Sequence, residues 1–291
     1  GGAMYDVDDN VSVFANTGYV EKPPIMDNVI YYDGTVASDP SNESFISSEA
    51  GINFSTENVA VKVSAYNTDW KDRNLTKAVT TGQGDSGDTD VIFLKGIGQK
   101  HQGLEIEGSM KLNDIVRLDG AVSFGKWKFD GDADGLYTEY AEDAPKQTAY
   151  TYTLDGLYVG DQPQTAYVLG TTLTPMDGLR LQGIFKMYDK NYADWSPDSR
   201  ELSGDADRTQ VWQAPGYNRL DLHASYKLPK IAGYDMTLTG HVFNALDAVY
   251  VQDAVDNSQY NGYGDKLHLP HNAEVFLGTP RYANIGLTVN F

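Results

Sequence analysis

Apolar and polar residues alternate strictly along several stretches of the chain, and this period of two limits the fold more than any other feature of the sequence. In residues 104–112 it separates two sets of side chains: Leu104, Ile106, Met110 and Leu112 against Glu105, Glu107, Ser109 and Lys111. Residues 116–126, 179–187 and 219–228 repeat the pattern. Because successive side chains of a β-strand point to opposite faces, these stretches predict strands with one apolar and one polar face.

The alternation and the turn residues together predict ten strands, at residues 10–20, 43–56, 58–71, 100–112, 115–129, 163–175, 178–191, 216–228, 234–250 and 280–291. Short connections alternate with long ones, and the long ones span residues 21–42, 72–99, 130–162, 192–215 and 251–279. A soluble sandwich would spread its loop lengths more evenly. The pattern predicts an all-β fold, a portion of an antiparallel up-and-down outer-membrane β-barrel with short periplasmic turns and long extracellular loops. Whether the strands close into a smaller barrel or remain an open curved sheet stays open.

Composition excludes two classes of protein. No segment approaches the roughly 20 consecutive apolar residues of a transmembrane helix, which excludes a helical membrane protein. The hydrophobic content of 41% is compatible with membrane strands, because these carry apolar residues only at every second position. The net charge of −19 argues against a nucleic-acid partner, because neutralising phosphates requires Lys and Arg. The acidic loops are expected to keep the protein dispersed, with cation binding as the alternative.

Three C-terminal segments have a distinctive pattern and order: residues 241–250 (HVFNALDAVY), Gly278-Thr279-Pro280-Arg281, and the alternating residues 285–291, which end in an aromatic residue. They resemble segments of TonB-dependent outer-membrane receptors. The first is similar to the penultimate strand of that family, the second to its entry into the last strand, and the third to the last strand itself. The order of the three segments and their spacing along the chain also match that family. Weaker matches upstream extend the resemblance over nearly the whole chain.

The resemblance implies that the chain is the C-terminal part of a barrel of about 22 strands. No TonB box, plug or first set of barrel strands is recognisable in the sequence. Residues 1–4 (Gly1-Gly2-Ala3-Met4) look like an expression-tag remnant. We therefore expect residues 5–291 to be the C-terminal part of a receptor β-barrel.

For function, the resemblance implies uptake of a scarce ligand, such as a siderophore, cobalamin or a glycan, at the cell outer membrane of a Gram-negative bacterium. The implied partners are outer-membrane lipid, the missing plug and N-terminal barrel strands of the same parent protein, the inner-membrane energising complex acting through that parent, and the small-molecule or glycan ligand. Phe291 is implied to be the assembly signal for the outer membrane. No enzymatic activity is predicted, because the sequence holds no nucleophile elbow, zinc-protease motif or nucleotide-binding glycine loop.

Five residues of the matched segments and strands have expected structural roles. Asn244 and Asp247 tolerate unusual backbone angles and form local side-chain-to-backbone bonds, which suits the point where a strand leaves the membrane. Tyr250, Tyr282 and Trp127 are expected near the aromatic girdle that flanks the apolar band.

A candidate calcium site lies in the third long connection. Asp130, Asp132 and Asp134 form the first half of a calcium-loop pattern, in which alternate carboxylates converge on a hard cation. The second half does not match, because Ala141 occupies its last position. Calcium bound by these three carboxylates is one prediction, and a solvated acidic loop tip is the alternative; no other cofactor is predicted.

Aromatic residues in and beside the long connections are the preferred ligand-binding candidates, because flat rings stack on sugars and planar chelates. They are Tyr188, Tyr192, Trp195, Trp212, Tyr260 and Tyr263. Packing of the loops on themselves is the alternative role. His268 and His271 have a spacing that would allow a shared metal, but without a third ligand they are expected in a solvated loop. His101, His223 and His241 lie in predicted strands and are expected to face a wet lumen.

A second function of a different class also fits the sequence. A soluble all-β carbohydrate-binding module would use the same loop Tyr and Trp residues on a sandwich scaffold. An enzyme on a β scaffold is the least supported alternative. An exposed apolar belt about 25 Å tall would favour the membrane barrel, and its absence would favour the soluble module.

Overall fold

The alternating stretches form antiparallel strands. The structure is a computed structural model that describes residues 1–26, 29–30, 40–80, 89–139, 146–196, 200, 207–230, 233–258 and 267–290. Within these ranges the strands are β1 (Gly2–Asp6), β2 (Val11–Lys22), β3 (Glu43–Ser55), β4 (Val59–Thr80), β5 (Thr89–Lys111), β6 (Val116–Phe129), β7 (Ala133–Glu139), β8 (Lys146–Tyr152), β9 (Thr165–Met176), β10 (Leu179–Asp189), β11 (Asn191–Tyr192), β12 (Gln213–Ala214), β13 (Tyr217–Lys227), β14 (Asp235–Phe243), β15 (Val251–Val255), β16 (Glu274–Leu277) and β17 (Tyr282–Asn290).

One antiparallel sheet contains most of these strands, in the order β1-β2-β3-β4-β5-β6-β9-β10-β13-β14-β17. β7 and β8 extend it beside the outer part of β5, while β11 with β12 and β15 with β16 form two small sheets. The all-β, up-and-down fold and all ten predicted strands are confirmed. β1 and β17 do not pair with each other, so the described part of the barrel is an open sheet.

Three parts of the sheet lie outside the predicted strands, and one of them is β7 with β8, which occupy much of the predicted connection 130–162. β1 pairs with β2 and includes residues 2–4, which the sequence analysis assigns to a tag remnant. The predicted loop 72–99 is wrong over much of its length, because β4 continues to Thr80 and β5 begins at Thr89. The register slips on both sides of Arg73, and Asp72 has a positive φ of 56°. This bulge breaks the alternation in the sequence while the strand pairing continues.

The sheet has one apolar and one polar face. On the apolar face apolar residues oppose each other across strands, as Leu173 opposes Leu181 and Leu238 opposes Leu287. These side chains remain uncovered, and Leu287 is 57% exposed. An apolar surface of this extent requires a cover, and the hydrocarbon of a bilayer fits strands that present apolar residues at every second position.

Ion pairs lie along the polar face, where Lys62 contacts Glu49 at 3.2 Å and Lys186 contacts Asp221 at 2.9 Å. A groove of about 600 Å³ runs over this face between β3 and β10, near the short connections. Charges on this face and apolar side chains on the other are the arrangement predicted for a barrel wall between lipid and a wet lumen.

The buried apolar core lies at the long-connection end of the sheet. It is formed by Ile92, Leu94, Ile97, Phe129, Ala133, Tyr152, Leu154, Leu157, Tyr192, Trp195 and Val211. Gln164 connects the segment before β9 to β6, because its side-chain oxygen accepts a hydrogen bond from the backbone N–H of Trp127 in β6 at 2.8 Å. We call β7, β8, β11, β12, β15, β16 and the described segments that connect them the loop unit. Among the described residues, no helix is long and apolar enough to cross a membrane.

Candidate functional site

The loop aromatics predicted to bind ligand separate into buried and half-buried residues. Trp195 is 1% exposed and Tyr192 is 9% exposed, and both belong to the loop-unit core. Trp195 packs on Tyr152, and Tyr192 stacks on Tyr158 with ring centroids 4.2 Å apart. Burial, followed by the neighbouring Tyr158, raises the pKa of Tyr192 to about 12. In this arrangement the two rings pack within the protein and offer no free face to a ligand.

Tyr188 and Trp212, the other described candidates, are half-buried. Tyr260 and Tyr263 lie outside the described residues, as does Phe291. Ligand binding by these aromatic residues and the assembly role of Phe291 therefore stay predictions.

A stack of tyrosines lies where the polar face meets the loop unit. The ring of Tyr217 lies 5.1 Å from that of Tyr188 and 4.2 Å from that of Tyr250. Arg219 donates a hydrogen bond to the Tyr250 hydroxyl at 3.1 Å, and its guanidinium lies 5.5 Å from the Tyr250 ring centre. Gly278 makes room for this stack, because a Cβ at that position would lie 1.9 Å from the Tyr250 ring. The glycine of the Gly-x-Pro-Arg segment thus has a packing role.

A second aromatic cluster lies on the polar face of β3–β6. The Arg73 guanidinium lies 4.7 Å from the ring centre of Trp70. Trp127 donates its indole N–H to the Tyr66 hydroxyl at 2.8 Å and stacks on His101. We call these two clusters together the rim.

The three aromatic residues expected near the aromatic girdle lie on the polar side of the sheet and not on its apolar face. Trp127 shares its strand parity with Arg117 and therefore lies on the polar face. Tyr250 is 5% exposed within the rim, and Tyr282 stacks on Phe243 of β14. The sequence does carry a signal for the rim residues. When an aromatic residue is separated from a charged residue of the same strand by an even number of positions, both lie on the same face of the sheet.

The segment after β14 confirms the predicted backbone role of Asn244 and Asp247. Both have positive φ, 48° and 55°. The Asn244 side chain donates to Ala248 O at 2.9 Å and accepts from Ala248 N–H at 3.0 Å, while Asp247 accepts the Arg281 N–H. These bonds fix the turn at the end of β14 against the entry to β17. The predicted strand 234–250 therefore ends earlier, at Phe243.

Two of the three candidate calcium carboxylates have other partners, and Asp134 accepts a hydrogen bond from the Thr151 hydroxyl at 3.2 Å. Asp132 forms a two-pronged pair with Arg208 at 2.7 and 2.8 Å and accepts the N–H groups of Leu154 and Asp155. The Arg208 hydrogen bonds hold the pKa of Asp132 below its usual range. Among the described residues, no group of three His, Cys, Asp or Glu side chains is arranged to hold a metal. Calcium binding stays a prediction, and it would require the displacement of Arg208.

A buried ionic network joins three of the long connections. Arg200 and Asp256 are fully buried, and the guanidinium contacts the carboxylate at 3.3 Å. His268 lies between two carboxylates, with Nδ1 on Asp256 and Nε2 on Asp207 at 2.7 Å. Thr153 donates its backbone N–H to Arg200 O at 2.7 Å. Both ring nitrogens of His268 are therefore engaged, and the expectation that it lies in a solvated loop is wrong.

The carboxylates determine the protonation of this histidine. Burial alone would lower the pKa of His268, but the hydrogen bonds with Asp256 and Asp207 outweigh it and raise the pKa. With His268 protonated, two cations and two anions balance inside the network. The sequence gives no signal for this arrangement, because the four residues come from distant segments.

An open antiparallel sheet with short connections at one end, an exposed apolar face and a charged opposite face defines a segment of an outer-membrane β-barrel. Residues 1–245 match the family TonB dependent receptor-like, beta-barrel, and the chain belongs to that family. Members of this family are outer-membrane proteins of Gram-negative bacteria, which is the location of this chain. They act as transport receptors.

Solved structures share the fold at low sequence identity. The ferric-catecholate import receptor Fiu from E. coli K12 has a TM-score of 0.60 at 15% identity, over 99% of this chain and 34% of its own. The ferric yersiniabactin uptake receptor FyuA from Yersinia pestis has a TM-score of 0.60 at 15% identity, and the match covers 100% of this chain and 37% of FyuA. The pyoverdine outer membrane receptor FpvA from Pseudomonas aeruginosa PAO1 has a TM-score of 0.60 at 17% identity, and the match covers 100% of this chain and 35% of FpvA. This chain thus spans about a third of each, and no curated relative matches it in sequence.

Proposed function

We propose that the protein is the C-terminal barrel part of a TonB-dependent transporter for a scarce ligand, with a ferric siderophore as the first candidate. The observation that carries this proposal is the rim, where aromatic rings and guanidinium groups lie side by side at the mouth of the polar face. The names of the three structural relatives, which refer to ferric catecholate, yersiniabactin and pyoverdine, support this class of ligand. Cobalamin and glycans are the alternative ligands.

The chemistry of the rim suits a flat, anionic chelate. Arg73 lies over the half-buried Trp70, and Arg219 bonds Tyr250, which stacks on the half-buried Tyr217. Each cluster thus combines an aromatic ring with a fixed positive charge. A guanidinium is always protonated and stacks on planar groups, so such pairs bind planar anions in a defined orientation. A neutral sugar would stack on the rings and form no ion pair with these guanidinium groups.

The free edges of the sheet support the proposed partners. β1 and β17 each have one side with no neighbouring strand in the described structure, and unpaired strand edges take up further strands readily. In this proposal the N-terminal strands of the parent protein occupy those edges, and its plug lies against the polar face. The inner-membrane energising complex acts on that plug, and residues 5–291 supply the barrel wall and the extracellular connections.

The alternative of a soluble carbohydrate-binding sandwich is wrong in its architecture. In the described ranges, the other sheets have only two strands each, so no second large sheet covers the apolar face. That face is uncovered and its residues are exposed. Glycan uptake by a membrane receptor remains an alternative ligand choice and is tested together with the siderophore.

Calorimetric titration of the detergent-solubilised chain tests the ligand. We expect a ferric catecholate to bind, and Tyr217→Ala and Trp70→Ala each to weaken binding about tenfold, the loss expected for one ring contact of about 1.4 kcal/mol. Tyr167→Ala is the matched control, because Tyr167 lies on the apolar face of β9. Binding of cobalamin or a maltooligosaccharide instead would change the ligand class, and an equal loss in Tyr167→Ala would contradict the rim as the site.

A further inference from the structure

Three lysines lie on the apolar face of the sheet, just beyond its apolar band at the long-connection end. On β5 and β6 the last apolar pair of this face is Leu104 with Phe124, and Lys126 follows two residues along β6. Lys100 and Lys128 oppose each other in the next row. By strand parity these side chains leave the same face as the apolar pair. The lysines therefore lie at the level where the hydrocarbon of a bilayer gives way to its headgroups.

Positive charge prevails in this cluster, although the chain as a whole has a net charge of −19. Lys100 contacts Asp69 of β4 at 3.6 Å, and the Lys128 ammonium lies 4.5 Å from the ring centre of Tyr158. Like charges directly opposite each other destabilise a sheet, and Lys100 opposite Lys128 is such a pair. An anion bound between the two ammonium groups would offset their repulsion.

The flanking residues of the same face leave this excess of positive charge in place. Gln102, opposite Lys126, is neutral and donates a hydrogen bond to Asn67 at 2.9 Å. Further toward the long connections, Lys71 of β4 and Asp130 after β6 share the parity of this face and offset each other in charge. β5 and β6 lie at the centre of the strand order, away from the free edges of β1 and β17, so the cluster has neighbouring strands on both sides.

The apolar face of the same two strands has a groove of about 430 Å³ below the lysines. Gly108 and Gly120 oppose each other in the register and form its floor, while Ile106 and Val122 form part of its wall. The strand from Gly120 to Lys126 is about 20 Å long, at about 3.4 Å per residue. The groove and the lysines are therefore placed to hold the two ends of one lipid, its acyl chain and its headgroup.

We propose that this surface binds lipid A, a glycolipid of the outer leaflet that has phosphate groups on its sugar headgroup and several acyl chains. The long connections of an outer-membrane barrel face the cell exterior, so the lysines lie at the outer leaflet. Ammonium groups bind phosphate through charge-assisted hydrogen bonds, and the groove receives an acyl chain. This inference goes beyond ligand uptake at the rim, because the site lies on the opposite face of the sheet.

General anchoring at the membrane interface is the competing explanation of the lysines. In that case each side chain extends to any anionic headgroup nearby, and no particular lipid is retained. The two explanations differ in selectivity. A site distinguishes lipid A from its dephosphorylated form and from phosphatidylglycerol, whereas anchoring treats the two anionic lipids alike.

Native mass spectrometry of the whole chain, released from detergent micelles that contain lipid A, tests the proposal. We expect one lipid A per chain and more than about tenfold weaker retention of the dephosphorylated lipid. Lys126→Gln and Lys128→Gln should each weaken retention about fivefold, and the variant with Lys100, Lys126 and Lys128 all changed to Gln about a hundredfold. Lys111→Gln is the matched control, because Lys111 lies on the polar face at the other end of β5 and pairs with Asp114.

Gly120→Leu tests the groove separately from the lysines. A Cβ at Gly120 meets only the Val168 carbonyl oxygen within 4 Å, at 3.8 Å, so the new side chain has room to fill the groove. It should weaken retention of the phosphorylated and the dephosphorylated lipid by the same factor, because both use the acyl chain.

Two results would overturn the inference: retention of lipid A unchanged in the triple variant, or equal retention of lipid A and phosphatidylglycerol by the wild type. The circular dichroism of each variant shows whether the strands are retained. If the triple variant loses its strands, the comparison of lipid A with its dephosphorylated form on the wild type decides instead. Equal retention of those two lipids contradicts the site.

Discussion

The sheet and the loop unit of this protein bury opposite kinds of residue. In the sheet, apolar side chains such as Leu169 and Ile285 are 56% and 83% exposed, and charged residues pair on the other face. In the loop unit, Leu154 and Trp195 are 0% and 1% exposed. The loop unit has the pattern of a protein in water, whereas the sheet has that of a wall between water and hydrocarbon. Adjacent parts of the chain are therefore suited to different environments: the loop unit to water on all sides, and the sheet to lipid on one face and water on the other.

The two regions also treat their charges differently. The pair of Lys186 and Asp221 on the sheet keeps its lysine partly open to solvent, whereas Arg200 and Asp256 in the loop unit are both fully buried. A buried charge that loses its partner has no water to replace it. The loop unit should therefore be the more sensitive region to changes of charge, and the sheet the more sensitive to changes on its apolar face.

The largest expected effect is the removal of Asp256. Asp256→Ala removes the buried carboxylate that contacts both Arg200 and His268 and leaves Asp207 as the one remaining anion of the network, which should cost about 3–5 kcal/mol of loop-unit stability. Hydrogen exchange should show faster exchange in β11, β12 and β15 and unchanged protection in β9 and β10. Asp119→Ala is the control, since its pair with Arg117 is exposed on the polar face and should matter little. Uniform loss of protection across the sheet would contradict the separation of the two regions.

A charge on the apolar face should have the next largest effect. Phe185→Arg places a guanidinium toward the bilayer and should cost about 2–4 kcal/mol in lipid. Ile184→Arg is a close control, because the adjacent residue of β10 points to the polar face. Urea unfolding in lipid vesicles measures both. Equal destabilisation by the two variants would mean that the faces do not differ in solvent.

A smaller effect is expected from pH, and only in the loop unit. The pKa of His268 is raised in the folded state, so its contribution is present below the unfolded pKa and is lost as the pH rises through the folded pKa. The pKa of Asp207 is lowered, against the effect of burial, by its hydrogen bond with His268, so its contribution is lost as the pH falls through its folded pKa. Protection of the loop-unit amides should therefore be highest between these two values.

His268→Gln should remove the alkaline decline of protection and leave the acid decline of other carboxylates. His271→Gln, at an exposed position three residues on, is the control and should leave the alkaline decline intact. Amide exchange measured over a pH series, corrected for the intrinsic exchange rate, gives the result. A decline that persists in His268→Gln would assign it to another group.

Calcium should have the smallest effect. Because the Arg208 guanidinium is paired with the Asp132 carboxylate, millimolar calcium is expected to leave the melting temperature of the wild type unchanged. It should raise the melting temperature of Arg208→Gln, in which Asp132 has lost its cationic partner. A rise in the wild type that Asp132→Ala abolishes would instead support the calcium site of the sequence analysis.

The regular part of the sheet is predictable from the sequence, because the period of two repeats wherever a strand lies between lipid and water. The outer parts of β4 and β5 were not predicted, because the bulge around Asp72 interrupts this pattern. The sequence also does not distinguish Trp195, which is buried against Tyr152, from an aromatic residue open to ligand. Such contacts join residues distant in the chain, and neither periodicity nor composition records them.

The most direct test of the account is a single-cysteine spin-label scan along β10, from Arg180 to Met187, with the protein in lipid vesicles. The chain contains no cysteine, so each label is unique. The account predicts that labels at odd-numbered positions collide mainly with oxygen dissolved in the bilayer, and that labels at even-numbered positions collide mainly with a water-soluble nickel chelate. Collision rates without this alternation, or with the water-soluble reagent reaching both faces equally, would contradict a sheet that separates lipid from water.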